Sequence, residues 1–343
     1  MSDDSTGSVK FTRKDFQSDQ EVRWCPGCGD YSVLTAVQLL LPDLDVAPEN
    51  TVFISGIGCS SRFPYYMNTY GIHSIHGRAP AVATGVAIAR PDLDVWVITG
   101  DGDALSIGGN HLIHTLRRNV NLTIILFNNQ IYGLTKGQYS PTSEVGKVTK
   151  SSPLGSVDFP FNPLSVALGA EASFVARTHD MDRNHMTEMF RRAHDHRGAA
   201  FVEVYQNCNV FNDGAFAEIT SRDSRESMLI ELRHGEPVRF GENDSLCVVL
   251  NEYGEASVAK ADEVEASRIL VHDEKRRDPS VAFSLSRLAE HPTQPTPIGV
   301  FRAVERLVYD DELERQLAQA SAERGPGNLA ELVGSGATWE VSG

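Results

Sequence analysis

Two apolar runs end in residues whose side chains carry oxygen. The run "DVWVITG" over 94–100 leads into Gly100-Asp101-Gly102, and the run "NLTIILFNN" over 121–129 closes on Asn128-Asn129. Glycines on either side of Asp101 let the backbone turn sharply and let a ligand come close, so its carboxylate is presented where the strand ends. Together with the Asn129 amide and a main-chain carbonyl such as that of Ile131, it makes an oxygen-only set. Such a set suits Mg²⁺ completed by phosphate oxygens. Either half alone is most simply a turn or a cap.

A second group of candidate ligands is sulfur. Cys25 and Cys28 lie in "RWCPGCGDY", Cys59 in "GIGCSSR" and Cys208 in "QNCNV". A lone C-x-x-C pair has three ordinary meanings: zinc, a dithiol redox pair, or iron–sulfur ligands. No second C-x-x-C or nearby His pair completes a common zinc pattern, and the pair precedes the first clear strand, unlike a thioredoxin-type motif. Cys247 in "LCVVL" reads as a buried hydrophobe. His111 and His114, three apart on a helical pattern, read as a packed or solvated helix face rather than a metal pair.

The elements that must position these groups alternate along the chain. Strand-like runs fall at 51–58, 94–100, 121–129 and 200–206, with helix-length segments at 79–90, 105–118 and 185–197 between them. Strands apolar nearly throughout, separated by helices, predict an α/β fold: a doubly wound, mostly parallel sheet covered on both faces. Ligands of such sheets bind at the carboxyl ends of strands. The segment 133–163, rich in Gly, Ser, Thr, Pro and Lys, is too long for an ordinary connection and predicts a functional loop. Residues 1–21 read as a mobile polar arm, 22–218 as the cofactor-binding domain, and 219–343 as a charged, Pro-punctuated extension packed on that domain or on a partner. No internal repeat is present.

At 343 residues and a net charge of −15, the chain has room for a large core and lacks the basic clusters of a nucleic-acid binder. It shows neither an apolar run of membrane-spanning length nor a signal-like start, and five cysteines are too few for a disulfide scaffold. A cytoplasmic protein, bound to neither nucleic acid nor membrane, is expected.

Taken together, "CPGCGD", "GIGCSSRFP", "HSIHGRAPAVATG", "GDGDALSIGGNHLIH" and "NNQIYGLTKGQYSPTS" closely resemble the β subunit of 2-oxoacid:ferredoxin oxidoreductases, most of all the 2-oxoglutarate type. The similarity spans about 22–213 and reaches the C-terminal part in "VHDEKRRDPSVAFSLSRL" and "PIGVFR". It implies the thiamine-diphosphate-binding fold, in its diphosphate half, with Asp101, Asn129 and the Ile131 carbonyl on Mg²⁺. It further implies a [4Fe–4S] cluster on Cys25, Cys28, Cys59 and Cys208. The reaction implied is oxidative decarboxylation of a 2-oxoacid, with electrons passing singly through the cluster to ferredoxin and the acyl group going to coenzyme A.

Ile57, Gly58, Cys59, Ser60, His76, Gly102, Asp103, Gly133 and Leu134 are expected cofactor contacts by the same similarity. Arg62 is a candidate partner for the distal carboxylate of 2-oxoglutarate, Leu134 for the pocket wall, and Lys136, where relatives often carry Gly, for a carboxylate or a coenzyme A phosphate. Only the diphosphate-binding half is present, so an α subunit is expected to supply the pyrimidine-binding domain and the activating Glu, in an α2β2 assembly. Pyruvate or another 2-oxoacid as substrate, a non-redox thiamine-dependent lyase or synthase, and a non-catalytic iron–sulfur or metal module are the competing readings.

Overall fold

The computed structural model describes residues 10–290 and 294–341. Its core is an eight-stranded sheet, built from β1 (Thr51–Ser55), β2 (Tyr70–His73), β3 (Asp94–Gly100), β4 (Leu122–Asn128), β5 (Phe174–His179), β6 (Ala199–Tyr205), β7 (Leu229–Leu232) and a last strand, Thr296–Ala303. The spatial order is β2-β1-β3-β4-β6-β5, then Thr296–Ala303, then β7. All neighbours run parallel except the last strand against β5. The expected doubly wound α/β architecture is therefore present.

Strand residues alternate between two apolar layers, because successive side chains of a strand point to opposite faces. Val52, Ile54, Val95, Val97, Ile124 and Leu126 face one way, toward α2 (Ala79–Ala89), α4 (Gly109–Arg118) and α5 (Pro163–Gly169). Phe53, Trp96, Ile98, Ile125 and Phe127 face the other, toward α1 (Asp30–Leu40) and α6 (Arg183–Asp195). A short α3 (Asp101–Leu105) follows β3 directly. Continuous burial along β1, β4 and β6 is what made these runs look apolar throughout.

Two expectations about the ends of the chain need correction within the described residues. Residues 10–21 are not a free arm: Arg13–Phe16 forms a turn of 3-10 helix and Phe16 is fully buried against the α1 layer. The first nine residues of the expected arm lie outside the described residues. The segment after 219 is not merely appended, since β7 and Thr296–Ala303 complete the main sheet. Between them lies a three-stranded antiparallel sheet of Arg239–Phe240, Leu246–Leu250 and Ala256–Lys260. No helix among the described residues is long and apolar enough to cross a membrane.

Candidate active site

The carboxyl ends of β1, β3, β4 and β6 are neighbours in the sheet and carry, in turn, the segments 56–60, 100–103, 128–131 and 206–208. Register pairs Gly100 with Phe127 and Asn128 with Tyr205, so Asp101 and the paired asparagines leave adjacent strands at one level. Asp101 is 3% exposed. Its Oδ2 accepts from the hydroxyls of Ser140 (2.5 Å) and Thr142 (2.6 Å), both on the long loop that follows β4. Burial pushes its carboxyl up to about 6, against the pull of those two hydroxyls. A buried carboxylate held only by neutral donors suits a divalent cation, which would lower the cost of its charge.

The two asparagines have different jobs. Asn128 is buried in the sheet, donating to Glu203 Oε1 (2.7 Å) and accepting from Thr142 (2.9 Å), while Glu203 pairs with buried Arg177 (2.6 Å). It braces the Asp101 hydroxyl cage from below. Asn129 is only partly buried; its Oδ1 accepts from the Ile131 N–H (3.2 Å) and its Nδ2 donates to Gln206 (3.0 Å). Gln130 between Asn129 and Ile131 has φ +56, which throws the chain back over the strand end.

Asp103 organises the surrounding loops. Its Oδ1 accepts from the N–H groups of Ile57 (3.0 Å) and Gly77 (2.7 Å) and from His76 Nδ1 (2.6 Å), and its Oδ2 accepts from Thr99 (2.7 Å). Four donors occupy this carboxylate, so Asp103 ties the β1 and β2 loops to β3. Its bond to His76 sets Nδ1 as the donor and leaves Nε2 free of that bond. Gly56 and Gly102 are required by close approach. A β-carbon on Gly56 would stand 1.9 Å from Asp103 Oδ2, and one on Gly102 would stand 2.1 Å from the Tyr132 ring, whose hydroxyl donates to the Gly102 carbonyl (3.0 Å).

The four motif cysteines converge on the same rim. A β-carbon on Gly133 would lie 3.5 Å from Cys59 Sγ and 3.6 Å from Cys208 Sγ, so a side chain there would fill the space between them. The Cys25–Cys28 turn is joined to the Cys208 loop by Asn209, whose amide donates to the Pro26 carbonyl (2.6 Å), and Trp24 Nε1 donates to the Cys59 carbonyl (2.7 Å). Burial, and then the charge of Asp30, push the Cys28 thiol up; the same causes push Cys59 up to about 12. Among the described residues no three His, Cys, Asp or Glu side chains close on one point as the ligands of a single ion do. Four cysteines are the donor set that a cluster taking one thiolate per iron would need, and the Asp101 set contains one carboxylate. Cys247 is buried in the small sheet, while His111 and His114 lie on α4.

A cavity of about 300 Å³ opens beside this rim, lined by Ile57, Gly58, Arg62, Leu134, His73 and Arg23 among others. Arg62 Nε donates to the Tyr66 hydroxyl (2.9 Å). Lys136 does not line the cavity; it is exposed at φ +75, a conformation natural to glycine. Ser60 is buried at the foot of the Cys59 loop and Leu134 is half exposed at the cavity mouth. The sequence reading missed Ser140, Thr142, His73, Tyr132 and Gln206. Ser140 and Thr142 carried a signal, as hydroxyls in a long loop. Gln206 did not.

Known proteins place this arrangement. The family profile "Thiamine pyrophosphate enzyme, C-terminal TPP binding domain" matches residues 56–204. The chain is 59% identical over 330 residues to the 2-oxoglutarate oxidoreductase subunit KorB of Mycobacterium tuberculosis, covering 96% of this chain and 88% of that one. It is 34% identical to the 2-oxoacid:ferredoxin oxidoreductase subunit beta of Saccharolobus solfataricus, covering 89% and 87%. Among solved structures, the 2-oxoglutarate:ferredoxin oxidoreductase from Magnetococcus marinus with 2-oxoglutarate, coenzyme A and succinyl-CoA bound superposes with a TM-score of 0.75 at 31% identity, covering 97% and 98%. The chain belongs to the β subunits of the 2-oxoacid:ferredoxin oxidoreductases.

Proposed function

We propose that this chain is the β subunit of a 2-oxoglutarate:ferredoxin oxidoreductase that forms succinyl-CoA and CO₂ and passes electrons through a [4Fe–4S] cluster to ferredoxin. The observation that carries this reading is the convergence of four neighbouring strand ends, two bearing oxygen ligands and two bearing cysteines, on one rim beside an arginine-lined cavity. Thiamine diphosphate, when bound, supplies the carbanion chemistry of 2-oxoacid decarboxylation. Asp101, Asn129 and the Ile131 carbonyl would hold Mg²⁺ against the diphosphate. Cys25, Cys28, Cys59 and Cys208 would hold the cluster, with Gly133 keeping the space between two of them clear. His76, oriented by Asp103, presents Nε2 to the reacting region, and Arg62 pairs with the substrate's distal carboxylate.

The family profile that matches, over 56–204, is a C-terminal thiamine-pyrophosphate-binding domain, and on that basis an α subunit supplies the pyrimidine-binding domain and the activating Glu, in a cytoplasmic α2β2 enzyme. The test is anaerobic purification of the αβ complex with iron, sulfide, Mg²⁺ and thiamine analysis, followed by coenzyme A-dependent reduction of ferredoxin. Activity with 2-oxoglutarate well above pyruvate is expected. Stoichiometric zinc without iron, or equal rates with both acids, would overturn the reading.

A further inference from the structure

Gln206 directly follows β6 and is fully buried. Its main-chain N–H donates to the Asn128 carbonyl (2.9 Å), fixing the residue against the end of β4. The side-chain Oε1 accepts from Asn129 Nδ2 (3.0 Å), and Nε2 donates both to Cys28 Sγ (3.3 Å) and to the Asn207 carbonyl (2.6 Å). One amide thus touches the expected cation ligand on one side and an expected cluster ligand on the other. Gly29 makes this approach possible: a β-carbon there would stand 3.0 Å from Gln206 Nε2 and 1.8 Å from Asp180 Oδ2.

We infer that Gln206 is a positioning residue that couples the cation site to the cluster, so that loading of Mg²⁺ and thiamine diphosphate raises the cluster's reduction potential. This rests on the reading that Asn129 holds the cation and Cys28 the cluster. Orientation is the first effect. An amide can be turned either way, and the bond from Nδ2 to Gln206 holds Asn129 with Oδ1 available to a cation.

Polarisation is the second effect. A cation on Asn129 Oδ1 draws electron density from that amide and makes its N–H a stronger donor to Gln206. Gln206 in turn becomes a stronger donor to the Cys28 sulfur, because linked hydrogen bonds polarise one another. N–H bonds to cluster sulfurs favour the more negative, reduced form. Linkage then requires that cluster reduction tighten the cation site by the same factor.

The experiment is an anaerobic redox titration of the cluster in the assembled αβ enzyme, followed by electron paramagnetic resonance, with and without Mg²⁺ and thiamine diphosphate. Wild type is compared with Gln206→Leu and with Gln206→Glu, which keeps the shape but replaces the N–H at sulfur by a carboxylate oxygen. Iron content is measured first in all three. The reduced-to-oxidised ratio at a fixed potential should rise on loading in wild type. In both variants it should fall by roughly fivefold to tenfold, the scale of one lost hydrogen bond, and respond little to loading. Glu should keep Mg²⁺ affinity nearer to wild type than Leu does, because it still accepts from Asn129.

A variant with full iron that keeps the wild-type loading response overturns the coupling. So does a wild-type potential indifferent to loading. Absence of any cluster signal from wild type overturns the cofactor reading beneath it, which distinguishes the two failures. If Gln206→Leu does not assemble, the comparison with Gln206→Glu decides.

Discussion

Replacing Asp101 by Asn separates what this carboxylate costs the fold from what it does for the site. Burial raises its carboxyl from 3.8 to about 6, and about two units at ~1.36 kcal/mol each is roughly 3 kcal/mol. The folded state holds the proton more tightly than the unfolded chain. The stabilisation from protonation is therefore complete below the unfolded value and is lost as pH rises through about 6. In cation-free protein, Asp101→Asn should raise the unfolding free energy by up to about 3 kcal/mol at neutral pH, by roughly half that near pH 5, and by nothing near pH 3. Asn still accepts from Ser140 and Thr142, so the comparison isolates the charge. Urea unfolding at several pH values, with unchanged slope, reads the difference. Adding Mg²⁺ and thiamine diphosphate should reverse the ranking, because only wild type gains stability from tight binding. A cation-free variant less stable than wild type at neutral pH, or a gap independent of pH, would refute the argument. So would a variant that binds the cofactor as tightly as wild type.

Replacing Cys25, Cys28, Cys59 or Cys208 by Ala should each lower anaerobic iron content and broad visible absorption, whereas Cys247→Ala, in a separate sheet, should leave both intact and cost only stability. Arg62→Ile should reduce kcat/KM for 2-oxoglutarate far more than for pyruvate if, as proposed, Arg62 pairs with the distal carboxylate, since losing one partner of a charge-assisted pair that substrate binding buries costs on the order of 2–5 kcal/mol. Equal losses for both acids would place Arg62 on the shared carboxylate or in the cluster loop. Gly102→Ala should destabilise the chain by about 1–3 kcal/mol through the forced shift of the Tyr132 ring and weaken thiamine diphosphate binding. Wild-type thermal stability in that variant would show that the ring moves freely.

Much of the sheet was legible because β1, β3, β4 and β6 are buried on both faces, which writes itself into the chain as runs of apolar residues closing on Gly, Asp or Asn. Other elements were not legible. β2 is an exposed edge strand of four residues, and β7 and Thr296–Ala303 sit in a segment whose local pattern is charged. Phe16 was masked by its polar neighbours, since one anchoring aromatic produces no periodicity.

The sequence by itself determined the candidate ligand types at the strand ends and the family to which the chain belongs, because Asp101, Asn129 and the cysteines sit in short contiguous motifs. Only the tertiary structure decided their division of labour. Asp103 resembles Asp101 in the motif, yet it is taken up by four donors from β3 and the loops after β1 and β2. Asn128 and Asn129 are adjacent, yet one braces the sheet and the other faces the site. Ser140, Thr142 and Gln206 join the site from 39, 41 and 178 positions away from their partners Asp101 and Cys28. Contacts at such separations are set by strand register and loop closure, which no local pattern of residue types encodes.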